Sequence, residues 1–206
     1  MHLQITTKSE IQTIFERKNM TEKVYQIQIV LEGIKPKIWR RILIDSDLLL
    51  VDLHRIIQTT MGWTNSHLHL FSDGVDTYSP REFQVELAKD SRTVRLDEIL
   101  KMENSEISYE YDFGDGWEHS IILEKILPPD NRIQIPKCIA GNRNCPPEDC
   151  GGIWGYSDML DILKQPEHEE FESYIEWLGG EFDPEYFNKD EINRMLMEKD
   201  FGCIWL

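Results

Sequence analysis

The segment ISYEYDFGDGWEHSIILEKIL, residues 107–127, predicts the β-hairpin around which the fold is organised. Its two halves, residues 107–113 and 117–127, read as strands, and the Gly114-Asp115-Gly116 run between them is a strong signal for a tight turn. Because side chains alternate along a strand, His119 is expected on the same face as Trp117 and Ile121. A lone histidine on such an apolar face is most often a core residue.

Upstream of this hairpin the sequence predicts a second hairpin and a helix. YQIQIVLE (25–32) alternates with the period of a strand, and IWRRILI (38–44) follows after a turn. Residues 47–63 carry apolar side chains at helical spacing, and Gly62 is placed to end that helix. HLHLF (67–71) is then a short strand, and RLDEIL (95–100) is a helical turn. This element order is similar to that of β-grasp folds.

Downstream, after Pro128-Pro129, acidic residues and helix signals become more frequent. Ser157 is a candidate helix cap, and further short helices are expected near residues 168–180 and 190–199. We therefore expect an α+β protein, with a β-grasp-like mixed sheet, a packed helix and a small C-terminal helical subdomain. The predicted parts are an N-terminal extension (1–23, including a helix at 8–19), a β-rich core (24–127), and a cysteine loop with C-terminal helices (128–206) packed on it as one unit.

The composition limits the classes of partner. The chain has 206 residues and a formal net charge of −16, which disfavours nucleic acid and anionic membrane surfaces as partners. Its longest apolar run is too short to cross a bilayer, and its first residues lack a signal-peptide pattern, so we expect a cytoplasmic protein. Its partners are then expected to be proteins or small-molecule ligands.

Three cysteines lie within CIAGNRNCPPEDCGG, residues 138–152. A disulfide framework is not expected in the cytoplasm, so these thiols are candidates for metal ligation, for burial as reduced side chains, or for redox reactivity. Zinc takes about four soft or borderline ligands, and a stiff Pro-Pro and Gly-Gly loop suits such a site. The candidate ligands are Cys138, Cys145 and Cys150 with His119 or Cys203 as the fourth, and with Asp149 or His168 as further alternatives. The competing interpretation is a turn-rich loop with buried thiols.

A second candidate site combines the His67-Leu68-His69 run with the turn of the later hairpin. On a strand His67 and His69 would share one face, with Leu68 toward the core, and the pair could chelate one metal ion. Asp112 and Asp115 would add carboxylates, which gives a metal centre with open positions suited to hydrolysis or oxidation. The alternative is an exposed polar strand face and a turn whose aspartates bond their own backbone.

The tryptophans allow a similar choice. Trp117 and other aromatic residues near element ends could line a cleft beside this second site, and the alternative is that they anchor the core.

Several segments in order resemble the plasmid pRiA4b ORF-3-like family: IWRR (38–41), DLH (52–54), MGW (61–63), HLHLF (67–71), YDFGDGWEH (111–119), CPPEDCGG (145–152), GY (155–156) and FDP (182–184). The resemblance runs from about residue 24 to about residue 200. It implies a family without an established activity, whose members are often encoded on plasmids and near transposons. Some members carry a resolvase-like label, but a serine recombinase needs clustered arginines and a basic tail, and this chain ends in acidic helices.

Signature motifs of nucleotide binding and of serine hydrolases do not occur in the sequence. The first functional hypothesis is therefore an interaction or adaptor module with a possible structural zinc at the cysteine loop. The alternative is a metal-dependent hydrolase or nuclease-like enzyme that uses His67, His69, Asp112 and Asp115.

Overall fold

A mixed sheet with helices packed around it makes up residues 23–204, the part of the chain that this computed structural model describes. Within this range the strands are β1 (Val24–Leu31), β2 (Ile38–Asp45), β3 (His69–Ser72), β4 (Thr77–Ser79), β5 (Lys89–Asp90), β6 (Glu106–Tyr111), β7 (Trp117–Leu127) and β8 (Lys137–Asn142). The helices are α1 (Leu50–Met61), α2 (Leu96–Ile99), α3 (Gly152–Ile162), α4 (Phe171–Leu178) and α5 (Lys189–Met195), with 3₁₀ turns at Arg81–Phe83 and Lys199–Gly202. The predicted helix at residues 8–19 lies outside the described residues.

The sheet order is β5-β4-β3-β6-β7-β1-β2-β8. The central strand β1 is antiparallel to both neighbours, with Ile27 opposite Ile42 of β2 and Ile29 opposite Ile121 of β7. The β4–β5 pair is parallel, so the sheet is mixed. The α+β class and the mixed sheet with a packed helix are confirmed. The likeness to a β-grasp fold lies in the order hairpin, helix, strand.

Both predicted hairpins are present, and so is the predicted helix between them. In the later hairpin Tyr109 lies opposite His119, and the Gly116 N–H donates to the carbonyl of Asp112 to close the turn. Helix α1 ends at Gly62, which adopts φ 93° and donates its N–H to the Gln58 carbonyl. Local sequence signals were sufficient here because each turn or cap residue lies next to the element that it ends.

The core lies between one face of the sheet and α1. Alternate residues of β1, β2 and β7 are fully buried, and α1 contributes its own buried stripe, as its helical spacing requires. The C-terminal helices add side chains to the same core, among them Met159 of α3 and Ile192 of α5. Hydrophobic burial therefore connects the sheet and the helices that follow β8.

Strand β8 lies in the segment that the sequence predicted as a loop. It pairs antiparallel with β2 at the sheet edge, with Arg40 opposite Gly141 and Ile42 opposite Cys138. Short strands with Gly and Ala are weak local signals, and the pairing partner lies about a hundred residues earlier in the chain.

Helix α3 corrects a predicted boundary. It begins at Gly152, and Ser157 is an exposed residue inside it, so Ser157 is not its cap. The positive φ angles of Gly151 and Gly152 place the start of the helix earlier than the serine suggested. Helix α4 ends at Gly179 as predicted, and α5 begins at Lys189, one residue before the predicted range. Within residues 23–204 no helix combines the length and the apolar character needed to cross a bilayer.

Candidate functional site

The ends of β3 and β6 bring two predicted site residues together. The strands are antiparallel, with His69 opposite Tyr111, and the Asp112 N–H donates to the carbonyl of Leu68 over 2.9 Å. His67, just before β3, therefore lies beside Asp112, just after β6. Their closest atoms are His67 Nδ1 and Asp112 Oδ1, 3.7 Å apart.

The CPPEDC segment after β8 adds a second carboxylate. Asp149 Oδ1 lies 3.2 Å from His67 Nε2, although the angle is not that of a hydrogen bond. One ligand atom from each of His67, Asp112 and Asp149 lies within 4.8 Å of the other two. In residues 23–204 no other trio of His, Cys, Asp or Glu side chains converges in this way. Asp112 is buried and Asp149 is exposed, so the group is open to solvent on one side.

Glu148 places a third carboxylate next to the same imidazole. Its Oε1 accepts hydrogen bonds from the Tyr111 hydroxyl (3.0 Å) and the Thr64 N–H (2.8 Å). Its Oε2 is buried, has no hydrogen-bond partner among the described residues, and lies 3.7 Å from His67 Nε2. A buried carboxylate oxygen without a partner is costly, so it marks a position where a proton or cation would be stabilising.

Turns, rather than strands, orient the two aspartates of this cluster. Asp112 has φ 57° and Asp149 has φ 56°, a left-handed conformation that few non-glycine residues adopt but that Asp tolerates. Asp112 Oδ1 also accepts the Gly114 N–H over 2.9 Å. The YDFGDG segment therefore both closes the hairpin and directs a carboxylate at His67.

His69 is not a member of the carboxylate cluster around His67, although the sequence predicted that the two histidines would hold one metal ion together. It is the first residue of β3 and only 2% exposed, whereas Leu68, expected in the core, is 41% exposed. His69 and Leu68 do point to opposite faces, but His69 takes the buried face and Leu68 the exposed one. His67 lies in the loop before β3, so strand alternation does not set its direction. The His69 ring stacks on the ring of His54, with centroids 3.5 Å apart and planes 10° apart. Burial keeps the pKa of His69 well below its ordinary value, so the ring is uncharged.

His54 of α1 belongs to a closed hydrogen-bond network. Its Nε2 lies 2.8 Å from Asn65 Oδ1, which can only accept, so Nε2 carries the proton. Nδ1 then accepts from the Tyr109 hydroxyl at 2.9 Å, and that hydroxyl accepts in turn from Gln58. Burial lowers the pKa of His54 to about 4, in agreement with a neutral ring whose two nitrogens are both bonded.

Two other predicted site residues have different positions. Asp115 lies outside the converging trio and accepts the Gly151 N–H with Oδ2 at 3.1 Å, so it connects the hairpin turn to the start of α3. Trp117 is a buried core residue rather than part of a cleft wall, and its indole packs 6.2 Å from that of Trp63.

The structure does not gather the predicted zinc ligands. Cys138, Cys145, Cys150 and His119 provide no three ligand atoms within 4.8 Å of one another, a statement that covers residues 23–204. Cys145 Sγ instead contacts Met61 Sδ at 3.1 Å. The four-ligand zinc site is therefore not assembled in this structure.

The electrostatics of the thiols agree with this placement. Burial raises the pKa of Cys138 and of Cys145 to about 11 and that of Cys150 to about 12. Zinc binds the thiolate, so these protonated thiols would first have to lose their protons. His119 is buried in the sheet, where its Nδ1 lies 3.2 Å from the Tyr109 carbonyl.

A cleft opens beside the carboxylate cluster, between α1 and the β3–β4 edge. It has a volume of about 440 Å³ and shares His67 with the cluster. Its other lining residues include His54, Asn65, His69, Pro80 and Phe83. The cluster thus lies at one wall of a space large enough for a small molecule.

Sequence reasoning missed Glu148, Tyr111 and His54 as parts of this region. Glu148 lies inside the CPPEDC motif, whose two cysteines indicated thiol ligands rather than a carboxylate site. Tyr111 and His54 were placed only within a predicted strand and a predicted helix, and the structure buries both. Only the three-dimensional arrangement shows that their polar ends meet at the cluster and the cleft.

Comparison with known proteins places this chain in a known family. The profile of the plasmid pRiA4b ORF-3-like protein family matches residues 23–191. The chain belongs to this family.

Two similar proteins match most of the chain. The uncharacterized protein y4hQ of Sinorhizobium fredii (strain NBRC 101917 / NGR234) is 34% identical over 189 residues, which covers 90% of this chain and 96% of that protein. The crystal structure of a protein of unknown function, MM3350 from Methanosarcina mazei Go1, matches with a TM-score of 0.76 and 39% identity. That match covers 84% of this chain and 98% of the other. Neither relative carries an assigned activity.

Proposed function

We propose that the protein binds a divalent metal ion through His67, Asp112 and Asp149 and uses it to hydrolyse a small molecule held in the adjoining cleft. The observation that carries this proposal is the convergence of the three ligand atoms within 4.8 Å. It retains His67 and Asp112 from the sequence-based hypothesis and replaces His69 and Asp115 by Asp149.

The donor set suits a first-row divalent ion. One imidazole nitrogen with carboxylate oxygens is a set that Mn²⁺, Fe²⁺ or Zn²⁺ accepts, and three protein ligands leave positions for water and substrate. A metal ion there would polarise a carbonyl and lower the pKa of a bound water. The chain's own residues fix the ligand geometry and provide the cleft.

Local charge supports a cation at this position. Asp112, Glu148 and Asp149 surround His67, so three carboxyl groups face one imidazole in this cluster. Bringing like charges together in a partly buried region is unfavourable unless a cation compensates them. The buried Glu148 Oε2 is placed to act as a fourth ligand.

Metal binding is tested with Mn²⁺ titrations followed by electron paramagnetic resonance, which reports the free ion. Asp112→Asn replaces a carboxylate donor, and His67→Gln an imidazole donor, by a weaker neutral amide oxygen, and we expect each to weaken Mn²⁺ binding at least about tenfold, since changes to groups around a metal typically cost 10- to 100-fold.

Asp115→Asn is the matched control. Asp115 lies in the same turn as Asp112, and an amide oxygen still accepts the Gly151 N–H. This variant should bind Mn²⁺ like the unmodified chain. Equal affinity of all four proteins, or no binding by the unmodified chain, would rule out the site.

The interaction or adaptor module remains a second candidate function, favoured by one exposed aromatic residue. Trp154 of α3 is 82% exposed, and large exposed aromatic side chains are common at sites of protein association. Sedimentation analysis over a range of concentrations tests association with a second copy. A Trp154→Ser variant should lower any self-association without changing Mn²⁺ binding.

The structural zinc at the cysteine loop also remains a prediction. Elemental analysis of the purified protein, repeated with Cys145→Ser, measures it directly. Zinc that is retained by His67→Gln and lost with Cys145→Ser would assign the ion to the loop.

We keep the cytoplasm as the proposed location, and a small molecule or a protein as the proposed partner.

A further inference from the structure

The segment between β8 and α3 carries one side of the metal cluster and has no regular secondary structure. Residues 145–151, here called the strap, form neither a helix nor a strand. The strap supplies Asp149 and Glu148 to the cluster. His67 and Asp112, in contrast, adjoin the paired strands β3 and β6. The cluster therefore joins a segment outside the sheet to the end of the sheet.

Contacts at separate points hold the strap against the rest of the protein. Near its start, the indole N–H of Trp63 donates to the Pro146 carbonyl over 3.0 Å. At its end, the Gly151 N–H donates to Asp115 Oδ2 over 3.1 Å. Between these points Glu148 accepts the hydrogen bonds described above. A segment that is held by a few hydrogen bonds and is not paired as a strand can open while the sheet stays folded.

The closed strap contains an unfavourable contact that a cation would relieve. Glu148 Oε2 is buried without a hydrogen-bond partner in the described part of the chain, and it lies 3.7 Å from His67 Nε2. That ring nitrogen is also buried and makes no hydrogen bond within residues 23–204. Unpaired buried polar atoms cost free energy, so this contact favours the open strap when no ion is bound.

Two buried thiols distinguish opening of the strap from opening elsewhere. Cys145 is 4% exposed and its Sγ contacts Met61 Sδ, so a reagent reaches it only after the strap has moved. Cys138 of β8 is fully buried, and both of its backbone groups are bonded to Asn193 of α5. Burial raises the pKa of both thiols to about 11, so they differ in the segment that covers them rather than in acidity.

We infer that a divalent ion at the metal cluster keeps the strap closed, and that without the ion the strap opens while the sheet stays folded. This inference rests on the proposed function and names the conformational control of the same site. An ion shifts such an equilibrium only if it binds one state more tightly than the other. It does so here, because Asp149 and Glu148 lie beside His67 only when the strap is closed.

Labelling with N-ethylmaleimide, resolved by peptide mass spectrometry, measures the opening at each cysteine. In metal-free, chelator-treated protein we expect Cys145 to be labelled at least about tenfold faster than Cys138, because local opening needs less free energy than global unfolding. Mn²⁺ at about one hundred times its Kd should slow the labelling of Cys145 about a hundredfold, because the ion binds only the closed strap. Equal rates at the two cysteines in the metal-free protein would overturn the inference.

Two matched variants test the part played by the ion. Asp112→Asn changes a ligand outside the strap and weakens the site, so the same Mn²⁺ concentration should slow the labelling of Cys145 at most about tenfold. Asp115→Asn keeps an acceptor oxygen for the N–H at the end of the strap and should respond to Mn²⁺ like the unmodified chain. Equal slowing in both variants would contradict control by the ion at this cluster.

Glu148→Gln tests the physical cause of the opening. An amide N–H₂ then replaces the unpaired oxygen beside His67 Nε2, while the remaining amide oxygen still accepts from Tyr111 and Thr64. Metal-free labelling of Cys145 should therefore be about tenfold slower than in the unmodified chain. Unchanged labelling would remove the reason for the opening, and with it the inference.

The two proposals fail in different ways. If electron paramagnetic resonance shows that Mn²⁺ binds but the labelling of Cys145 does not slow, the control of the strap is refuted and the metal site stands. If Mn²⁺ does not bind, both proposals are refuted.

Discussion

His119 shows how a single buried side chain makes folding depend on pH. The ring is 1% exposed, its Nδ1–H donates to the Tyr109 carbonyl, and Nε2 has no hydrogen-bond partner within residues 23–204. Burial lowers the pKa of His119 from 6.5 to about 4. The unfolded chain therefore binds a proton at a higher pH than the folded chain does.

The sign of this effect gives a first prediction. The stability that neutral His119 contributes is fully present above about pH 6.5 and is lost as the pH falls toward 4. Between pH 7 and pH 5 the loss is about 2 kcal/mol, at 1.36 kcal/mol per pKa unit. In His119→Phe, which keeps a ring of similar size, the fall in unfolding free energy over this interval should be smaller by about that amount. Urea unfolding at both pH values measures it, and an unchanged fall in the variant would contradict the assignment.

Gly152 is a second residue whose identity follows from its surroundings. Its φ is +66°, and an added Cβ would lie 2.5 Å from the Asp115 carbonyl oxygen, which is closer than such contacts allow. The hairpin turn and the start of α3 can therefore approach each other only if this residue has no side chain.

Gly74 provides the matched comparison for a second prediction. It also has a positive φ (+86°), but an added Cβ would meet nothing within 4 Å. Gly74→Ala should therefore cost about 1–2 kcal/mol, the backbone term alone. Gly152→Ala should cost about 1–3 kcal/mol more, because overpacking is added. Denaturant unfolding of both variants measures the difference, and equal costs would show that the contact with Asp115 can relax freely.

At the scale of elements, the side chain of Asn193 hydrogen-bonds α5 to the edge strand β8. Asn193 accepts the Cys138 N–H with Oδ1 at 2.8 Å and donates Nδ2–H to the Cys138 carbonyl at 2.9 Å. The amide thus continues the pairing pattern of β8 and satisfies both backbone groups of one strand residue.

This connection gives a third prediction. Asn193→Ala should reduce the unfolding free energy by about 1–3 kcal/mol, because two partly buried backbone groups lose their partner. Asn131→Ala, an exposed position in the turn before β8, should change it by no more than about 0.5 kcal/mol. Chemical denaturation of the two variants compares them. Similar effects at the two positions would mean that the amide does not hold α5 to the strand.

The elements differ in how far the sequence predicts them. The hairpins and α1 were predicted because their periodicities of two and 3.6 residues are local properties. β8 was not, since its pairing with β2 is specified by residues distant in sequence. The same reason explains why only part of the candidate site was predicted. His67 and Asp112 adjoin two paired strands, whereas Asp149 reaches them from the segment after β8. Alternation showed that His69 and Leu68 face opposite sides, but not which side is buried.

At the scale of the whole molecule, the C-terminal helices and the sheet bury their apolar residues together. Ile192 and Leu196, from the region of α5, belong to the same core as Ile27 of β1. Thr59 of α1 donates its hydroxyl to the Phe201 carbonyl at 2.8 Å, which joins the last 3₁₀ turn to the first helix. Segments that share a core and hydrogen bonds are expected to unfold together.

Cooperative unfolding is the last prediction. Hydrogen exchange followed by mass spectrometry at increasing urea should give the same transition midpoint for peptides from β7 and from α5, because exposing the apolar side of α5 would also uncover the sheet. Asn193→Ala should lower both midpoints together, since it weakens a contact within one cooperative unit. If α5 instead exchanges at lower urea while β7 stays protected, the helical region is a separately unfolding unit.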